Sequence, residues 1–299
     1  MNLRLLLSLL LVPLLFAQTA FADLTRLSDN VYAYVGTTDA SPARSFAANA
    51  GIIIGKDGVL VVDTLTSAKE GQRFLADIRK VTDKPIRYVV NTHTHLDHAF
   101  GNCVFAGLGA VVISHTADRA LLEKLGTDIL KKVGGYGLKP EDMVGTEISL
   151  PSLFFSDRLS IDLGGEVVEL IRVEPSHTEG SVVVWLPKQK LLFSGDILFT
   201  DFHPFLADGD FNGWYKTLDS LLALDVERIV PGHGPLSGKK DLREMKEYLA
   251  RFDGAARQLA AKGMDGDAIA AELLKILPKR SMAEWMVGYN VKSRYLKKQ

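Results

Sequence analysis

The stretch NTHTHLDHAFGN, Asn91 to Asn102, constrains this chain more than any other. It places His93, His95, Asp97 and His98 within six consecutive positions of a chain that has seven histidines in all. The run Ile86–Val90 before it reads as a buried strand, so the cluster sits where a strand ends. Side chains alternate along extended backbone, so His93 and His95 face the same way and can share one metal ion. Asp97 and His98 are adjacent. They point apart or sit on a turn, and suit a second ion close by. Neutral imidazoles and carboxylates are the ligands zinc takes at ~2.0–2.2 Å. Such a string forces the fold to bring further ligands to it from elsewhere.

Three later segments offer them. VEPSHTEGS places His177 in a turn before a strand starting at Ser181. LLFSGD places Asp196 just past a strand, and RIVPGHG places His233 past the run Arg228–Val230. The glycines on either side of His233 let backbone approach a crowded centre. A sheet whose strand ends carry ligands builds one site from distant positions. Asp63 ends the strand-like VLVVDT and either hydrogen-bonds a ligand histidine or caps the strand. Of the remaining histidines, His115 is expected to pack or cap locally. His203, in TDFHPF, is expected on a loop rimming the site, with substrate contact as one reading. Trp214 and Tyr215 read as core, and Cys103, the single cysteine, as a small buried residue with no disulfide partner in the chain.

The rest of the chain is an α/β mixture. Strand-like runs are Val31–Val35, Ile52–Ile54, Val59–Val62, Ile86–Val90, Val111–Ser114, Val167–Val173, Val182–Leu186 and Leu191–Ser194. Gly55–Gly58 and Pro187–Lys190 read as hairpin turns, and Gly164–Gly165 as a further turn. Helical patterns cover Ser67–Val81, Ala117–Leu125, Phe211–Leu224, Lys239–Lys262 and Gly266–Ile276. Hairpins beside strand–helix–strand units predict mixed sheets.

Residues 1–22 are set apart as a leader: Arg4, an apolar run from Leu5 to Phe16 and an Ala20-Phe21-Ala22 cleavage signal. That run is shorter than the ~20 residues a membrane span needs. Cleavage is expected before Asp23, giving a periplasmic or secreted protein with no stable membrane association. The main domain is expected over 23–263, with a C-terminal helical extension over 264–299. A formal net charge of −1 and no basic run argue against nucleic acid and for a small-molecule substrate. Nothing here sets an oligomeric state.

THTHLDH, PSHTEGS, SGD and VPGHGP, in that order, resemble the metallo-β-lactamase superfamily, as does the opening AGIIIGKDGVLVVDT. The resemblance runs from about Leu24 to Tyr248. It implies an αββα sandwich of two mixed sheets covered by outer helices, with metals at one edge between the sheets. It further implies two zinc ions, the first on His93, His95 and His177, the second on Asp97, His98 and His233, with Asp196 bridging. Two cations sharing a water lower its pKa from ~15.7 towards 7 and provide hydroxide for attack on a carbonyl or phosphorus centre. Asp97, with one oxygen free, would orient that nucleophile and take its proton.

Substrate class follows from departures. Zinc β-lactamases of the commonest subclass carry cysteine at the Asp196 position and a lysine three residues on, where this chain has Phe199. The segment ILFTDFHPFLADGD lacks the glycine- and arginine-rich signature of glyoxalase II. Export and near-neutral charge argue against ribonuclease Z. His95 and the chain length argue against flavin-bearing iron relatives. What is left resembles periplasmic stand-alone hydrolases associated with quinoprotein oxidation and sulfur oxidation. The expected activity is hydrolysis of a small ester, thioester, lactone or lactam. Weak β-lactamase activity and an iron dioxygenase-like protein are the alternatives.

Overall fold

The computed structural model describes residues 23–36 and 39–296, so the leader expected over 1–22 lies outside the described residues. In chain order the strands are β1 (Asp23–Arg26), β2 (Val31–Val35), β3 (Ala50–Ile54), β4 (Val59–Val62), β5 (Ile86–Val90) and β6 (Val111–His115). They continue with β7 (Leu153–Phe155), β8 (Arg158–Asp162), β9 (Val167–Arg172), β10 (Val182–Leu186), β11 (Leu191–Phe199) and β12 (Arg228–His233). The helices are α1 (Ala68–Val81), α2 (Leu96–Ala99), α3 (Asn102–Ala106), α4 (Thr116–Lys131), α5 (Phe211–Ala223), α6 (Lys239–Ala261), α7 (Gly266–Ile276) and α8 (Trp285–Arg294).

The two expected hairpins form: β3 pairs antiparallel with β4 and β10 with β11. Gly164–Gly165 closes a third, between β8 and β9, where Asp162 accepts hydrogen bonds from both glycine amides. One sheet runs in order from β1 to β7 and the other runs β12-β11-β10-β9-β8. Both are mixed. The first turns from antiparallel to parallel at β4, and the second is parallel only between β11 and β12.

Strand periodicity explains the layers. In β4, Leu60 and Val62 point into the core between the sheets, against Leu170, Val184 and Phe193. Val59 and Val61 point the other way, onto Phe74 and Ile78 of α1 and Phe105 of α3. A strand covered on both faces needs apolar residues at every position, which is why these runs read as continuous rather than alternating. On the second sheet, Val183, Trp185, Leu192 and Ile229 face α5 and α6. The result is the four-layer αββα sandwich.

The residues after Met264 pack into that last layer. Ile269, Leu273, Leu277, Val287 and Val291 are buried in one cluster with Trp214, Leu242 and Leu249. The short strands β1, β7 and β8 and the helices α2, α3 and α8 carry no sequence signal strong enough to announce them. β7 and β8 are partly exposed, so their composition is not that of a buried run.

His203 departs from its expected place. It is buried with its Nδ1 2.8 Å from the Tyr248 hydroxyl on α6, and its backbone amide donates to Met282. It therefore belongs to the α6–α8 layer and not to a site rim. Burial first, then the nearby Arg280, holds its imidazole down to about 4 from an ordinary 6.5. The unfolded chain thus binds a proton there that the folded chain refuses, and stability falls as pH drops through 6.5 towards 4. Urea denaturation of His203→Gln across pH 4–7 is expected to show a shallower acid loss than the wild type. Parallel curves would refute this role.

A candidate metal centre between the sheet edges

All seven expected ligands converge. One carboxylate or imidazole atom from each of His93, His95, His177 and Asp196 lies within 4.8 Å of the others, and the same limit holds for Asp97, His98 and His233. β5 delivers the first histidines. After it the chain bends at Thr92 and His93 and has extended φ/ψ at His95, the residue before α2, and the single turn of α2 then carries Asp97 and His98 to the second group.

Asp196 corrects its expected setting. It lies inside β11, which continues to Phe199 instead of stopping at Ser194. The pairing with β12 shifts register on both sides of Gly195, whose φ of 50° is left-handed. That kink turns the Asp196 carboxylate into the centre. One oxygen, Oδ2, lies 3.2 Å from His177 Nε2 and 3.7 Å from His93 Nε2. The other, Oδ1, lies 3.2 Å from His98 Nε2 and 3.5 Å from His233 Nε2. Glycine is required alongside: a Cβ on Gly232 would stand 1.8 Å from Asp196 Oδ1. Gly234 has a φ of 90°, in the left-handed region.

Hydrogen bonds fix the ring nitrogens. Asp63 accepts from the Thr92 amide at 2.8 Å, the Thr92 hydroxyl at 2.7 Å and His98 Nδ1 at 2.9 Å. With its proton given to Asp63, the Thr92 oxygen is free to accept from His93 Nδ1 at 3.1 Å. One buried carboxylate thereby leaves Nε2 of both His93 and His98 facing the centre. His233 donates Nδ1–H to the Phe46 carbonyl at 3.1 Å, which does the same for its Nε2. His95 is turned the other way. Its Nε2 lies 3.3 Å from Asp208 Oδ2, and its Nδ1 faces His177 Nε2 at 2.9 Å.

These inward atoms fit a metal. Among the described residues, His93 Nε2 and Asp196 Oδ1 are buried without a hydrogen-bond partner. His98 and His233 bring Nε2 atoms to 3.4 Å of each other. Two neutral rings would set lone pair against lone pair there, which is costly in a buried site unless a cation, a metal ion or a proton, lies between them. Burial keeps His93 well below its ordinary range and pushes His177 to about 3, so both offer neutral rings. Burial also opposes charge on His233, but Asp196 and Asp97 outweigh it and lift it to about 9. Burial likewise opposes ionisation of Asp196, and the surrounding histidines overcome it, holding its carboxyl well below the usual range.

Several supports have no sequence signature. Asp118, at the start of α4, is buried and accepts from Gly180 N and Thr178 Oγ1, which ties α4 to the His177 turn. Burial raises its carboxyl to about 6. Asn49, the residue before β3, donates to the carbonyls of Pro231 and Gly234 and so pins the end of β12 that carries His233. Phe199 is buried and stacks flat on His233 at 5.1 Å, so it backs a candidate ligand instead of facing substrate. Trp214 lies against His177 at 5.5 Å. His115 caps α4 by accepting from the Ala117 amide. Cys103 is half-buried on α3 rather than fully enclosed.

A sequence model described as the metallo-beta-lactamase superfamily matches residues 43–233. The chain belongs to the metallo-β-lactamase superfamily. Its relatives in that superfamily include a linear primary-alkylsulfatase of Pseudomonas sp. (strain ATCC 19151), 27% identical over 76% of this chain. The chain spans half the length of that protein. A metallo-beta-lactamase type 2 of Elizabethkingia meningoseptica is 28% identical over 79% of this chain and 88% of its own. Among solved structures, a metallo-beta-lactamase from Pontibacter korlensis superposes with a TM-score of 0.62 at 21% identity, over 76% of this chain and 98% of its own. A sec-alkyl sulfatase superposes with a TM-score of 0.66 at 21% identity, over 92% of this chain and 50% of its own. At such identity these structures speak for the fold. The protein is a member of this superfamily with a potential metal site.

Proposed function

We propose that the protein is an exported dinuclear zinc hydrolase that cleaves a small ester, thioester, lactone or lactam. The observation that carries this reading is the Asp196 carboxylate, with one oxygen towards His93 and His177 and the other towards His98 and His233. A single carboxylate set between two ligand groups suits two ions held together. His93, His95 and His177 would hold one zinc, and Asp97, His98 and His233 the other. Zinc there would supply Lewis acidity towards a substrate oxygen and a water acidic enough to react near neutral pH.

The chain's own groups do the rest. Asp63 and the Phe46 carbonyl hold three imidazoles in the tautomer that presents Nε2. Asp97 keeps Oδ2 3.3 Å from His233 Nε2, which leaves its other oxygen to orient the attacking water and accept its proton. The buried setting of the ligands keeps bulk water from competing with these dipoles.

Metal analysis of the purified mature protein is expected to find about two zinc per chain, and N-terminal sequencing to begin at Asp23. The zinc-loaded protein should then be assayed on a lactone, a thioester, a phosphodiester, an alkyl sulfate and a β-lactam. Turnover of the lactone or thioester that disappears in His93→Ala is the expected result. One iron per chain and no hydrolysis would replace this reading with the dioxygenase-like one.

A further inference from the structure

A line of aromatic rings runs from the metal centre to the surface. The His95 ring meets Phe205 edge-on at 5.4 Å, Phe205 meets Tyr289 at 5.7 Å, and Tyr289 meets Trp285 at 6.4 Å. Phe205 also lies 6.1 Å from His177. The outer rings are largely bare: Trp285 is 61% exposed and Tyr289 47%. Tyr136 is 44% exposed and lies near Tyr289 and Asp208. Exposed rings arranged in contact and leading to a reactive centre are unusual on a soluble surface unless something apolar covers them.

The wall is built and held by α8, which lies beyond the residues the superfamily model matches. Asn290 donates to the Pro204 carbonyl and accepts from the Leu206 amide. Arg294 donates to the carbonyls of Leu206, Ala207 and Gly209 and stacks over Phe211 at 4.2 Å. Both side chains grip the loop that carries Phe205 and Asp208. This loop sits against His95, so α8 sets the shape of the approach to the centre. Asp208 adds a largely exposed carboxylate at the same mouth, 3.3 Å from His95 Nε2. A negative charge there disfavours an anionic group beside it.

We infer that Phe205, Tyr289 and Trp285 form a substrate-binding wall that takes an uncharged aromatic or long-alkyl group of the molecule being cleaved. This inference rests on the hydrolase reading for the reaction but not for the binding. The rings offer faces and edges to an apolar group at little entropic cost, since each has few rotatable bonds. Selectivity for substrates then comes from the C-terminal helix, while the seven candidate ligands supply the chemistry.

The test has a binding arm and a turnover arm, both on the full zinc-loaded chain. Calorimetry would measure 4-phenyl-2-butanone, a ketone with no hydrolysable bond, against acetone. The phenyl ketone is expected to bind saturably and acetone is not. Tyr289→Ala and Trp285→Ala should each weaken it about tenfold, with zinc content and melting temperature near those of the wild type. In the turnover arm, kcat/KM is compared for ethyl 4-phenylbutanoate and ethyl acetate by acid release. The wild type should prefer the phenyl ester, and either variant should cut that preference about tenfold. Equal binding of the two ketones, or variants that keep full phenyl-ketone affinity, would overturn the wall. So would sedimentation showing that the rings are covered by a second copy of the chain. Phenyl-ketone binding lost in the variants without hydrolysis of either ester would sustain the wall and sink the ester-hydrolase reading.

Discussion

Asp196→Ala is expected to keep at least one zinc and to lose at least ~100-fold in turnover, since even partners outside the ligand shell cost ~10–100-fold. The fold should survive, because Asp196 sits within β11 and the strand's backbone pairing does not depend on its side chain. The centre should not survive intact. With the carboxylate gone, two cations keep three protein ligands each and lose the negative charge between them. Their repulsion then loosens one ion more than the other. Zinc content by plasma emission, read beside kcat on whichever substrate the panel identifies, checks this directly. Two tightly held zinc ions and wild-type turnover in the variant would mean that Asp196 is no bridge. Asp196→Cys is a useful companion, because thiolate is a good zinc ligand. It should bind zinc yet remain a poor β-lactamase. Phe199 is packed flat behind His233, and Asp208 places a negative charge at the mouth where the drug's carboxylate would arrive.

Deleting the chain after Met264 is expected to abolish folding to a soluble protein. The residues removed include Ile269, Leu273, Val287 and Val291, all buried in one cluster with Trp214 and Leu249. Their loss bares the outer face of α5 and α6 and frees the loop that Asn290 and Arg294 hold. A gentler version gives a number. Leu273→Ala removes a fully buried side chain and should cost about 2–5 kcal/mol. For a chain of this size each kcal/mol is worth roughly 2 °C in Tm. Thermal denaturation of the variant should therefore fall by several degrees at least. A soluble truncated chain with the wild-type Tm would show that α7 and α8 merely decorate the domain.

Much of the site was legible because its chemistry is written in local strings. His93, His95, Asp97 and His98 stand together in sequence, and the first two do share one group, although the chain bends at His93 instead of running extended. The apolar runs of β4 and β10 match their observed bounds because a strand buried on both faces leaves no polar position to confuse the reading. The hairpin turns were visible for the same local reason, since glycine and proline act on their own few residues. What the tertiary structure alone decided is which distant residues meet. Asn49 reaches the His233 end of β12 across more than 180 positions, and Asn290 reaches the Phe205 loop across more than 80. His203 looked like a rim residue by its nearness in sequence to Asp196, yet it turns into the layer of α6. Asp118, Asp208 and α8 looked ordinary, yet they support or border the centre. Periodicity reports that a side chain is buried, not what it is buried against, because hydrophobic burial is non-directional. Partners are set by how layers close on one another, and that closure is a property of the whole chain.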